Sequence, residues 1–162
     1  KAYCMTGWRL GYCGGPKEII SGMNKIQSQS TTSTSSITMA AAVEALNGDQ
    51  EFIKKHNKEF KNRRDLVVEK LSKIEGLSCD TPPGAFYVYP CCEGIIGKKT
   101  SLGNTISTDE DLMNFLLESE GVAGVHGAAF GLSPYFRLSY ATDEKTLIDA
   151  CDRIKKACSN LR

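Results

Sequence analysis

The chain is 162 residues long, 41% hydrophobic and 24% charged, with a net charge of +1. That length supports one typical domain or the parts of two, with enough chain to bury a core. So even a charge balance removes the electrostatic ground for a nucleic acid or an anionic membrane surface as partner.

In chain order, Trp8 to Cys13 reads as a short strand closed by Gly14-Gly15-Pro16. Pro16 suits a first helical turn, and Ile19, Ile20, Met23 and Ile26 follow at helical spacing. Gln27 to Ser36, almost wholly Ser, Thr and Gln, reads as a polar connection into an Ala-rich helix over Ser36 to Leu46. Asn47-Gly48 stops that helix. Ser35 or Ser36 would supply its cap.

Glu51 to Ile74 is the longest periodic stretch, with Phe52, Ile53, His56, Phe60, Leu66, Val67, Leu71 and Ile74 on one face. A helix of about 24 residues spans ~36 Å, enough to connect two lobes. The basic residues between Lys54 and Arg64 interleave with Glu51, Glu59 and Asp65 and read as a solvated face. Leu77 to Cys79 and Ala85 to Tyr89 read as strands, and a polar loop runs from Glu93 to Thr105. Ser107-Thr108-Asp109-Glu110 offers an N-cap and an acidic first turn for a helix to about Glu120. Val122 to Val125 and Tyr135 to Tyr140 read as strands flanking the turn Gly127 to Gly131. Thr142 would cap the last helix, from Asp143 to about Leu161. The organisation is therefore α/β, with a first part over 1–60 and a second over 61–162, joined through the long helix.

The seven cysteines, Cys4, Cys13, Cys79, Cys91, Cys92, Cys151 and Cys158, are odd in number and contain no Cys-x-x-Cys pair. No histidine lies at zinc-ligand spacing from them, so no metal site is expected. They read as reduced thiols of a cytoplasmic protein. No run approaches the ~20 apolar residues of a membrane span, and no signal-peptide pattern is present. His56 and His126 read as packing or surface residues rather than catalysts.

Three residues carry the chemistry. Lys1 can hold an aldehyde as a Schiff base, and the planar guanidinium of Arg9 can grip a phosphate through paired donors. These are two of the attachments that pyridoxal 5'-phosphate needs. Arg137 sits among apolar neighbours in Tyr135-Phe136-Arg137-Leu138-Ser139-Tyr140-Ala141, where a buried arginine requires an anionic partner. Each also has a plain alternative: a frayed surface lysine, a surface ion pair, and an edge-strand arginine facing solvent.

The opening run Lys1-Ala2-Tyr3-Cys4-Met5-Thr6-Gly7-Trp8-Arg9-Leu10-Gly11-Tyr12 closely resembles the lysine motif of class I aminotransferases, the aspartate aminotransferase group within fold type I. Phe136-Arg137-Leu138-Ser139 resembles the same family's Phe-Arg-Leu-Ser signature, in the family's chain order. Pro83 to Tyr87 and Val125 to Gly131 also resemble its small-domain segments. The resemblance implies the end of a large cofactor-binding domain, a long connecting helix and a small α/β C-terminal domain.

It further implies that Lys1 holds pyridoxal phosphate and moves the substrate proton, that Arg9 binds the cofactor phosphate, and that Arg137 clamps the substrate α-carboxylate. The implied partners are an amino acid, aspartate or glutamate first, and a 2-oxo acid, in a homodimer. In such a dimer the hydroxyls of Gln29 to Ser36 would lie near the other subunit's site, an alternative to the simple capping loop. In the family the aspartate at the pyridine nitrogen, the ring-stacking aromatic and the phenolate partners precede the lysine. The chain is therefore expected to be a C-terminal fragment, inert on its own. Aromatic, prephenate or alanine transamination, and a non-catalytic dimerisation module, are the alternatives.

Overall fold

The computed structural model describes all residues, 1–162. It divides into two compact units, Lys1–His56 and Asn57–Arg162. The division falls within the long helix, a few residues ahead of the 60/61 boundary expected from sequence.

The first unit contains a 3-10 turn (Thr6–Trp8), α1 (Lys17–Ser30), α2 (Ser36–Asn47) and the start of α3 (Glu51–Ser72). The expected strand over Trp8 to Cys13 is not formed, and residues 9–16 have no regular structure. A strand exists only against a hydrogen-bonded neighbour, and this unit is otherwise helical. α1 also extends through Ser30, into the stretch read as a connection. The Ser28 and Ser30 hydroxyls donate to the Lys25 and Ile26 carbonyls one turn back, so these polar side chains are accommodated on the helix. Ser35 occupies the N-cap of α2 but makes no capping bond with its side chain. Thr38 is the one fully buried residue of α1 and α2. Ile26 and Ile37 are each 72% exposed, so the apolar faces of these helices find little cover within the unit.

The second unit holds the rest of α3, β1 (Tyr87–Val88), α4 (Asp109–Glu120), β2 (Val125–His126), β3 (Phe136–Ser139) and α5 (Glu144–Ser159). Short 3-10 turns lie at Glu93–Ile95 and Gly127–Phe130. The strands are antiparallel in the order β1-β3-β2, with Val88 opposite Leu138 and Val125 opposite Arg137. They are shorter than expected. Leu77 to Cys79 contributes only an isolated bridge, Ser78 to Cys91.

The core combines Val67 and Leu71 of α3, Leu112 and Leu116 of α4, and Cys151, Ile154 and Cys158 of α5 with Val88 and Phe136 of the sheet. This is the mixed α/β arrangement expected. The helix ends explain why these segments begin and stop where they do. Thr108 accepts from the Asp111 backbone N–H while the Asp111 carboxylate accepts from that of Thr108, a complete capping box. Gly121, in the left-handed region at φ 67°, closes α4. Asp143 caps α5, accepting from the Thr146 N–H at 3.0 Å; Thr142, the expected cap, lies one residue too early. No helix is long and apolar enough to cross a membrane.

Candidate active site

Lys1 lies in a tight turn, with the Cys4 N–H donating to its carbonyl at 3.0 Å. Three contacts anchor this turn to the helices behind it. The Tyr3 hydroxyl donates to Gln50 Oε1 at 2.8 Å, and Gln50 Nε2 in turn donates to the Ala45 and Gly48 carbonyls. The Tyr3 ring packs on Phe52, which meets the His56 ring edge-on. Thr38 Oγ1 donates to the Trp8 carbonyl at 3.4 Å. Gln50 thus binds the lysine turn and the α2 to α3 corner together.

Arg9 follows the 3-10 turn with φ 51° and ψ 50°, a left-handed conformation uncommon outside glycine. Its Nη1 donates to the Thr6 carbonyl at 3.1 Å. Lys1 and Arg9 line one hollow of about 380 Å³ with Met5, Thr6, Leu10 and Gly11. One primary amine and one guanidinium facing a common space is a donor set suited to a molecule carrying both an aldehyde and a phosphate. Ala42, Ala45 and Leu46 of α2 border an adjoining, more apolar hollow that Lys1 also lines.

Arg137 belongs to the second unit. It sits on β3, the central strand, opposite Val125. Its guanidinium carbon lies 4.4 Å from the Tyr87 ring centre and 4.5 Å from that of Phe130. Two aromatic faces flanking one cation stabilise it electrostatically and restrict its rotamers. The edge-strand alternative is thereby removed, since β1 and β2 both pair with β3. Sequence reading missed Tyr87 and Phe130 as partners of Arg137. An aromatic two positions off the paired residue was the available signal for Tyr87, whereas Phe130 comes from a turn with no strand register to place it.

Around that turn the backbone is unusually close. A Cβ on Gly127 would stand 2.0 Å from the Leu132 carbonyl oxygen, so no side chain fits there. Asp109, only 2% exposed, accepts from the Ala128 N–H at 3.1 Å and the Ser133 hydroxyl at 2.7 Å through the same oxygen. Burial pushes its carboxyl up. The bonds from Ser133 and from the Ala128, Tyr135 and Glu110 backbone outweigh that, leaving it below the usual carboxylate value. His126, on β2, pairs with Phe136 of β3 and takes no part in these contacts.

The fold and these motifs define a class. The family model for "Aminotransferase class I and II" matches residues 1–154, and the chain belongs to that family. Among individual relatives, it is 57% identical over 158 residues to a probable aspartate/prephenate aminotransferase of Rhizobium leguminosarum bv. phaseoli, covering 98% of this chain and 40% of that one. It is 54% identical to an aspartate aminotransferase of Rhizobium meliloti strain 1021, over 99% and 39% of the two chains. A solved aspartate aminotransferase structure from Rhizobium meliloti superposes with a TM-score of 0.95 over 100% of this chain and 40% of that one. An alanine aminotransferase from Pyrococcus furiosus, 28% identical over 98% of this chain and 40% of that one, gives 0.82. The chain spans about 40% of the length of the curated relatives it matches.

Proposed function

We propose that the protein to which this chain belongs is a pyridoxal-phosphate-dependent aminotransferase. It moves the amino group between aspartate or glutamate and a 2-oxo acid, as a cytoplasmic homodimer. The observation that carries the reading is the shared hollow of Lys1 and Arg9, an amine and an anion-binding fork within the family motif.

When bound, the cofactor supplies the electron sink for the carbon bearing the amino group. Three residues of this chain would take part in what remains. Lys1 Nζ would hold the cofactor's aldehyde carbon and, as a free amine, would be the base that takes the proton from the substrate Cα. Arg9 binds the phosphate with charge-assisted hydrogen bonds, and its Nη1 contact to Thr6 limits how far the fork can turn. Arg137 orients the α-carboxylate. That group is common to amino and oxo acids, so one arginine serves both halves of the exchange. The names of the two Rhizobium relatives, a probable aspartate/prephenate aminotransferase and an aspartate aminotransferase, support aspartate over the aromatic and alanine alternatives and keep prephenate beside it.

The test uses protein of the relatives' full length. Arg9→Ala is expected to weaken pyridoxal phosphate retention by more than tenfold, since hydrogen bonds to a charged group contribute ~1.5 to 3 kcal/mol each. Arg137→Ala should raise KM for aspartate and 2-oxoglutarate together, and the 162-residue chain alone should show no turnover. Unchanged cofactor retention in Arg9→Ala would refute its role, and transamination by Lys1→Ala at the parent rate would refute the mechanism.

A further inference from the structure

The two rings around Arg137 are held in different ways. Tyr87 is part of the sheet: it pairs with Ser139, two residues along β3 and on the same face as Arg137. Its position follows from strand register. Phe130 lies outside any strand, at the end of the 3-10 turn Gly127–Phe130, and is half exposed. The sheet holds only the start of that turn, through the Gly127 N–H donating to the Tyr135 carbonyl at 2.7 Å, so another tie must hold the far end that carries Phe130.

Asp109 is the group placed to do so. One oxygen, Oδ2, joins Ala128 near the start of the turn to Ser133 just beyond it. Tyr89 adds a second tie, its hydroxyl donating to the Gly127 carbonyl at 3.3 Å while its ring meets Phe130 edge-on. Burial and the Asp109 charge push the Tyr89 hydroxyl up, partly offset by Arg137, so it remains a protonated donor.

A buried carboxylate needs a reason, because an aspartate is costly to remove from water. Helix capping supplies only part of one. Thr108 and Asp111 complete the capping box of α4 between themselves, and of the bonds to the Asp109 carboxylate only that from the Glu110 backbone belongs to the helix, the others coming from Ala128, Ser133 and Tyr135. No ion pair to a lysine, arginine or histidine accounts for it either, whereas a charged acceptor gives shorter and stronger bonds than a neutral one.

We propose that Asp109 is a positioning residue for Arg137: by pinning the turn that carries Phe130, it fixes the direction of the guanidinium. The inference builds on the reading of Arg137 as the carboxylate-binding arginine, because the consequence is a pre-aimed fork. With one ring released, the arginine regains rotamer freedom and grips a carboxylate less well. The loss is about two- to fivefold, the scale of one cation–aromatic contact.

The experiment follows the Arg137 Nε–Hε resonance in protein of the relatives' full length, assigned by Arg137→Lys. Flanking rings shift it upfield by ring currents. Asp109→Ala and Phe130→Leu should each move it downfield, and Asp109→Ala should add nothing in a Phe130→Leu background. Asp109→Asn, which keeps one acceptor oxygen, should restore part of the shift. An Asp109→Ala protein that is folded and less stable, with the Arg137 signal unmoved, would overturn the proposal. So would an Asp109→Ala shift that persists undiminished without Phe130. If Asp109→Ala does not fold, Ser133→Ala, which removes one of the two ties, is read by the same criteria. Succinate titration separates the two readings. Failure of succinate to perturb Arg137 in parent protein of the relatives' full length refutes the carboxylate role, while the resonance shifts still decide the role of Asp109.

Discussion

Leu71→Ala tests whether the C-terminal half of α3 is part of the second unit's core. Leu71 has no exposed surface and lies in a cluster with residues of α4, α5 and the sheet. Truncation removes three carbons from a dry site, about 2.4 kcal/mol at ~0.8 kcal/mol per buried carbon. The cavity left behind brings the cost to roughly 3 to 4 kcal/mol. For a unit of about 100 residues, each kcal/mol corresponds to ~4 to 8 °C in Tm, so a fall of at least ~12 °C is expected. Ile19→Ala is the control: Ile19 is 59% exposed on α1, and its loss should stay within about 0.5 kcal/mol. Thermal unfolding followed by far-UV circular dichroism and calorimetry measures both. A Leu71→Ala cost below 1 kcal/mol, or one matched by Ile19→Ala, would refute the assignment of the core.

Two further outcomes follow from the titrating groups. Burial pushes the Cys92 thiol up to about 12 and those of Cys79, Cys151 and Cys158 up to about 11, while Cys4 and Cys13 are exposed. Iodoacetamide at pH 8 should therefore label Cys4 and Cys13 first, read by mass spectrometry of peptides; native-state labelling of Cys92 as fast as Cys13 would contradict the packing. Asp109, held below its ordinary value of 3.8, contributes stability that is present above that pH and lost as pH falls through the lower folded value. The stability gap between the parent chain and Asp109→Asn should accordingly narrow below about pH 4, and a gap that is flat or widens toward acid would count against the assigned ionisation.

The helices were the legible part of the sequence. α3, α4 and α5 have long apolar periodicity and strong punctuation, so their extents fall within a few residues of expectation. Where the reading strayed, a tertiary or local hydrogen bond decided the outcome. Asp143 rather than Thr142 caps α5 because its carboxylate reaches the Thr146 N–H. Gln27 to Ser30 joined α1 although its composition suggested a connection. The Trp8 to Cys13 strand required a neighbour that no local pattern can supply. For the candidate site, Lys1, Arg9 and Arg137 were legible as motif residues. Their supports were not, because Tyr87, Asp109 and Phe130 are scattered along the chain and meet only through the sheet and the Gly127 turn.

The alternation along β3 has a consequence for how the protein can misfold. Phe136 is fully buried in the core, whereas the next residue, Arg137, faces the aromatic pair on the opposite side. The four residues of β3 thus both wall the core and carry Arg137 against its two rings. A one-residue slip of this strand against β1 or β2 would exchange the two roles at once, driving a guanidinium into the apolar interior and Phe136 out toward solvent. The same residue that gives the strand its proposed chemistry therefore acts as a register lock. Removing its charge would permit pairings that the native sequence penalises, so Arg137→Leu should populate slipped or aggregated forms that Arg137→Lys does not.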